Sequence, residues 1–180
     1  MAHRREFEIA FVGLKPGPHE FNYTLGNEFF TEKGAVDFSD IDARVKVTLD
    51  KHAGFLQLKF EVGGQAAVQC DRCGNPLTLD LWDDFDMVVK LVENPDEMNA
   101  NEEDPDIFYI SRSESHIDLS NWLYDFVLLS IPVQRMCKED AEGRSGCNPE
   151  VIQKLKEMEE RTRENNAQNI WKDLDKFKQN

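Results

Sequence analysis

At 180 residues and 40% apolar side chains the chain is long enough for one core with appendages, and its 31% charged share places part of it outside that core. A formal net charge of −14 gives a surface that repels phosphate and attracts cations, which weighs against non-specific nucleic-acid binding. No apolar run approaches the ~18 residues of a spanning helix, and MAHRREFEIAFVGLKPG has too short an apolar stretch for a secretory signal, so a soluble, cytoplasmic protein with no membrane contact is expected.

EFEIAFVGL (6–14) reads as a short strand ended by the turn signal KPGP. HEFNYTL (19–25) can pair as a strand, and GNEFFTEKGAVDFSD (26–40) offers Phe29 and Phe30 as core anchors without a clear period. From Ala43 the period is two. Val45, Val47 and Leu49 face one way and Arg44, Lys46 and Thr48 the other; after the turn DKHAG, Leu56, Leu58, Phe60 and Val62 alternate with Gln57, Lys59 and Glu61. Gly63–Gly64 reads as the next reversal, followed by Ala66, Val68 and Cys70 on one face. Leu77, Leu79 and Leu81 alternate beyond the next cysteine, as do Phe85, Met87, Val89 and Leu91. Such strands, joined by short glycine-containing turns, predict an antiparallel meander.

ENPDEMNANEEDPD (93–106) has seven acidic residues and no basic one, which predicts a solvated, mobile loop; it lacks the ligand spacing and central glycine of an EF-hand. DIFYI returns as a strand. DLSNWLYDFVLLSIP reads as a helix with Asp118 as N-cap, with Leu119, Trp122, Leu123, Phe126 and Val127 on the face that covers the sheet, and with Pro132 as its end. A further helix starts at Asn148 as N-cap with Pro149 at the first position. NNAQN is expected to interrupt it, before IWKDLDKF brings Ile170, Leu174 and Phe177 to helical spacing. Residues 150–180 hold seven basic and seven acidic side chains, so the other 14 basic and 28 acidic residues put the whole −14 on positions 1–149. The expected organisation is therefore a body at 1–149, containing the acidic loop, and a helical tail at 150–180.

The four cysteines form two pairs, Cys70/Cys73 and Cys137/Cys147. A redox CxxC opens a helix, whereas this one follows a strand and precedes Pro76 and strand-like alternation. Gly74, directly after the second cysteine, suits the tight turn of a zinc knuckle. The second pair is looser, with nine intervening residues in which Gly143 and Gly146 let the loop fold back. Four metal-binding thiolates at Cys70, Cys73, Cys137 and Cys147 are the leading reading, with structural zinc as the ion; free thiols, disulfides and redox chemistry stay open. His3, His19, His52 and His116 show no ligand spacing, and no nucleophile, metalloprotease or phosphate-loop motif is present, so no catalytic residue or organic cofactor is expected.

Taken in order, the strand ending in a Leu-x-x-Gly turn, the meander, CDRCGNPL with its acidic linker, DLSNWLYDFVLLSIP and the second cysteine pair resemble the YceD family of large ribosomal RNA subunit accumulation proteins. The resemblance spans about 6–178, carried mostly by VQCDRC and the helix running into LLSIP, and IWKDL is similar to the family's ending. It implies a non-enzymatic factor for accumulation or processing of large-subunit ribosomal RNA, with the family's metal site falling on the same four cysteines. The expected fold is α+β: an antiparallel meander covered by a helix, a zinc knuckle and a C-terminal helical tail. Two courses follow for partners. The acidic body shields a basic large-subunit ribosomal protein or binds a pre-ribosomal particle, or the tail and knuckle loop (Arg135, Lys138, Arg144) touch ribosomal RNA. A zinc-stabilised interaction module without a ribosomal role is the rival reading, and a thiol-dependent enzyme a distant third.

Overall fold

The computed structural model describes residues 6–34, 37–139 and 145–174, the side chains of the last helix as far as Arg163. The fold is α+β around a mostly antiparallel, mixed sheet. β2 (Gly17–Gly26), β3 (Asp40–Lys51), β4 (Phe55–Gln69), β5 (Pro76–Val92) and β6 (Ile107–Ser111) lie in that spatial order. β2–β3 and β3–β4 pair antiparallel, whereas β6 runs parallel to β5. Alternation places Val45, Val47, Leu49, Leu56, Leu58, Phe60 and Val62 in the core.

The strand expected at 6–14 is shorter than its sequence suggests. Only β1 (Glu8–Ile9) is extended, paired with β7 (Ile117–Asp118), and Phe11–Gly13 forms a 3₁₀ turn. The Lys51 ammonium gathers that turn, donating to the carbonyls of Phe11, Val12 and Leu14 at 2.8, 3.1 and 2.8 Å. Of the two expected anchors in α1 (Asn27–Thr31), Phe30 is fully buried and Phe29 half-buried.

Gly63–Gly64 is not a reversal. β4 runs straight through it, with Gly63 opposite Arg44 and Gly64 opposite Ala43. Gly64 has φ +136°, and a side chain there would collide with the Asp42 carbonyl oxygen and sit 2.9 Å from the Ala43 Cα. The pair serves close approach of two backbones, and the chain turns at residues 70–75 instead.

The acidic segment 93–106 is likewise not a plain loop. A parallel strand needs a crossover, and this segment provides it with α2 (Pro95–Asn101). No residue of α2 is buried, in keeping with the solvated character expected of it. It is tied down by Asn99, whose side-chain amide donates to the Tyr109 carbonyl and accepts from the Tyr109 N–H, both at 2.9 Å. The Tyr109 hydroxyl donates to Glu102 at 2.6 Å. Asn99 thus occupies backbone groups of β6 that an edge strand would otherwise offer to another chain.

α3 (Ser120–Leu129) covers the sheet as its apolar stripe requires, with Asp118 accepting from the Ser120 N–H at 2.8 Å. Phe126 stacks on Phe85 at 4.4 Å and meets Phe60 edge-on at 4.9 Å, and Trp122 meets Phe108 at 5.4 Å. α4 is one helix, Pro149–Leu174, not interrupted at NNAQN: asparagine and glutamine weaken a helix but do not break it as proline does. The side chains of Ile170 and Leu174, and Phe177 altogether, lie outside the described residues.

The chain divides into two compact units. One runs to Val68 and resumes over Thr78–Val133; the other takes Gln69–Leu77 and the chain from Gln134 onward. Both cysteine segments group with α4.

Asn99→Ala leaves a backbone donor and acceptor of β6 without their partner, and is expected to lower stability by about 1–3 kcal/mol. Glu103→Ala, an exposed change in the same segment, should stay within about 0.5 kcal/mol of the parent protein in urea unfolding.

Candidate metal centre

The second unit is poor in apolar material. Among its described residues only Cys70 and Cys147 are buried, and Cys73 and Cys137 are half-buried. The four sulfur atoms nonetheless converge, all within 4.8 Å of one another. Cys70–Cys147 and Cys73–Cys137 are each 3.8 Å apart, far beyond a disulfide bond, and the four are free thiols. Four sulfurs around one ion at bonds of about 2.3 Å would be separated by about 3.8 Å, so the spacing fits a tetrahedral thiolate site.

The sequence builds each half differently. Residues 70–75 form a tight knuckle: the Gly74 N–H donates to the Cys70 carbonyl and the Cys70 N–H to the Asn75 carbonyl, both at 2.8 Å. Gly74 takes φ +73°, the left-handed conformation that closes the turn at least cost in glycine. In the other half, the long Cys137–Cys147 spacing is spanned by a bridge between Glu139 and Ser145 and by a 3.2 Å bond from the Gly146 N–H to the Lys138 carbonyl. A Cβ on Gly146 would lie 2.7 Å from that same carbonyl oxygen, so the second arm closes only with glycine there. Residues 140–144, Gly143 and Arg144 included, lie outside the described residues.

Asp71 and Arg135 join the halves. The Asp71 N–H donates to the Arg135 carbonyl at 2.7 Å, and the Arg135 N–H donates to Asp71 Oδ2 at 2.8 Å. The Arg135 guanidinium adds an ion pair to Asp71 at 3.5 Å. Arg135, one of the three cations assigned to ribosomal RNA from the sequence, is therefore engaged within the site. Asp71, to which no motif or hydrophobic period points, holds the knuckle to the second arm; its place inside CDRC is the one signal the sequence offers.

The electrostatics favour anionic sulfur at one position. Burial pushes the Cys70 thiol up, but the backbone N–H groups of Cys137, Arg72 and Cys73 outweigh it and bring the thiol down to about 6. Burial, and then hydrogen bonding with Cys70, Cys73 and Cys147, pushes Cys137 up to about 12. Four adjacent thiols cannot all ionise without a cation, and a divalent cation reverses that penalty. The cluster can hold a metal ion. With all four sulfurs bound, a tetrahedral ion would have no position left for water or substrate.

No histidine joins the cluster among the described residues. His19 bonds the Lys15 carbonyl, His52 stacks on Phe55, and His116 bonds Ser115. No described helix is long and apolar enough to cross a membrane.

These features define a class: a small α+β protein with a four-cysteine cluster built from a knuckle and a distant hairpin-like arm. The chain belongs to the family described as Large ribosomal RNA subunit accumulation protein YceD, whose family model matches residues 58–178. That match begins within β4, so β1 to β3 lie outside it. No curated protein and no solved structure matches the chain.

Asp71→Ala removes the acceptor for the Arg135 N–H and guanidinium. It is expected to lower thermal stability by about 1–3 kcal/mol and to speed the reaction of Cys73 and Cys137 with an aromatic disulfide reagent. Unchanged thiol kinetics would show that the clamp does not hold the arms together.

Proposed function

We propose that the protein is a non-enzymatic factor in the accumulation of the large ribosomal subunit, acting by binding, with a structural zinc ion held by Cys70, Cys73, Cys137 and Cys147. Family membership supports the process, and the family is named for ribosomal RNA accumulation rather than for a reaction. The observation that carries the metal reading is the burial pattern of the second unit. Its only buried described residues are two thiols, so it has little apolar surface with which to hold itself together. Metal binding supplies what such a unit lacks, because the binding free energy is folding free energy. Tetrahedral four-sulfur sites take zinc or iron, and a closed single-ion site of four thiolates is the usual form of structural zinc.

For the partner, the charge favours a basic ribosomal protein over RNA. The whole −14 falls on positions 1–149, and Arg135 is already paired with Asp71. Contact with ribosomal RNA through the charge-balanced tail at 150–180 and the knuckle loop is the second reading; the seven basic side chains at 150–180 support it.

Purified protein is expected to carry about one zinc per chain by elemental analysis. Cys73→Ser should lower metal content and melting temperature together. Folded, reduced, metal-free protein with the parent melting temperature would overturn the zinc reading, and red charge-transfer absorption would replace zinc by iron. For the process itself, tagged protein is expected to co-sediment with large-subunit precursors, and its depletion to lower large-subunit RNA relative to small-subunit RNA. A balanced ratio after depletion would overturn it.

A further inference from the structure

We propose that the outward face of β5 around Trp82 is a docking surface for an arginine-rich segment of a partner protein; this rests on the reading above that the partner is basic. Along β5 the alternation that turns Leu81 and Met87 into the core turns Asp80, Trp82, Asp84 and Asp86 outward, all four exposed. Trp82 is 83% exposed, although indole is the largest apolar side chain a strand can bury. Gln65 reaches Asp80 at 3.0 Å and Lys59 reaches Asp84 at 3.6 Å. The outward positions of β4 between these two ties are Glu61, which is exposed, and Gly63, where an added Cβ would meet nothing within 4 Å. The indole therefore stands beside a strand position that carries no side chain.

The charge around it selects the occupant. The outward bases of the sheet are already matched: Arg44 with Asp42 at 3.5 Å, Lys46 with Glu20 at 2.7 Å, Lys59 with Asp84. Asp86 adds a further exposed carboxylate on the same face as Trp82, and β5 itself carries no base before Lys90. An anionic occupant, RNA or an acidic lipid surface, would meet these carboxylates head-on, and a second copy would bring the same charge. A guanidinium suits every feature at once. It stacks flat on indole, it is weakly hydrated, and its fork of N–H donors reaches carboxylates beside the ring. Lysine can supply the charge but neither the plane nor the fork.

The test uses the full-length protein and a fluorescein-labelled octapeptide of alternating arginine and glycine, with an alternating lysine–glycine peptide and a uridine oligonucleotide as comparisons. Binding is read by anisotropy at several salt concentrations. Trp82→Ala, and Trp82→Thr to preserve strand propensity, are expected to weaken the arginine peptide about tenfold with unchanged melting temperature. Asp84→Asn with Asp86→Asn should weaken it and flatten its salt dependence. The charge-matched pair Asp96→Asn with Glu103→Gln, on the β5–β6 crossover, should stay within about twofold of the parent protein. Losses under twofold in both Trp82 variants overturn the proposal, as does a control pair as damaging as the β5 pair. So does a Trp82 effect that falls on self-association in sedimentation, or on the oligonucleotide. Co-sedimentation with large-subunit precursors separates the two levels. Precursor association that survives in Trp82→Ala sinks this surface and leaves the ribosomal reading standing. Arginine-peptide binding by a protein that never meets those precursors does the reverse.

Discussion

Four sulfur atoms have to meet at one point, and most of the second unit follows from that. They come from segments more than 60 positions apart, so chain entropy opposes their meeting, and four adjacent thiols oppose ionising together. The local structure is arranged against both costs. Glycine at 74 takes the left-handed turn conformation and glycine at 146 permits a close backbone approach, backbone N–H groups favour charge on Cys70, and the Asp71–Arg135 pair fastens one arm to the other. None of these supplies an apolar core. A cation at the centre would convert mutual repulsion into the attraction that holds the unit.

The sheet solves the opposite problem, having ample apolar surface on one face and an edge to protect. Inward residues of β3 and β4 are almost entirely excluded from solvent, and α3 closes over them with aromatic rings. β6 lies at the sheet's edge, where unpaired backbone invites another strand. The crossover handles this with a single side chain, since an asparagine amide carries a donor and an acceptor in the spacing of a peptide group. Asn99 therefore acts on Tyr109 as a neighbouring strand would, while the helix that carries it buries nothing.

Legibility in the sequence followed burial. From Ala43 to Val62 one face is buried and the other wet, so alternation alone states both the strand and its orientation. Gly63–Gly64 misled because a glycine pair suits a turn and a close backbone approach equally, and only the Asp42 carbonyl on the partner strand decides between them. α2 has no apolar face, so periodicity is silent about it, and its anchor lies ten residues further on at Tyr109. The cysteines were legible as a group because thiols are few and their pairing is a counting problem. The Asp71–Arg135 clamp was not, because an aspartate and an arginine 64 positions apart look like two of many surface charges.

Net charge by itself specifies little about a partner. At physiological ionic strength, charges further apart than about 8 Å are largely screened, so a formal −14 steers encounters without choosing a docking place. The choice falls to local imbalance. Over β3 and β4 the outward lysines and arginine sit against carboxylates, and these patches attract neither sign strongly. Imbalance persists where a base is missing, and on β5 that place also holds an uncovered indole. The residues that shape it do no work in the core: replacing Trp82 or Asp86 would leave every inward contact of β5 in place. A surface that can change without disturbing the fold is one whose composition answers to binding rather than to packing.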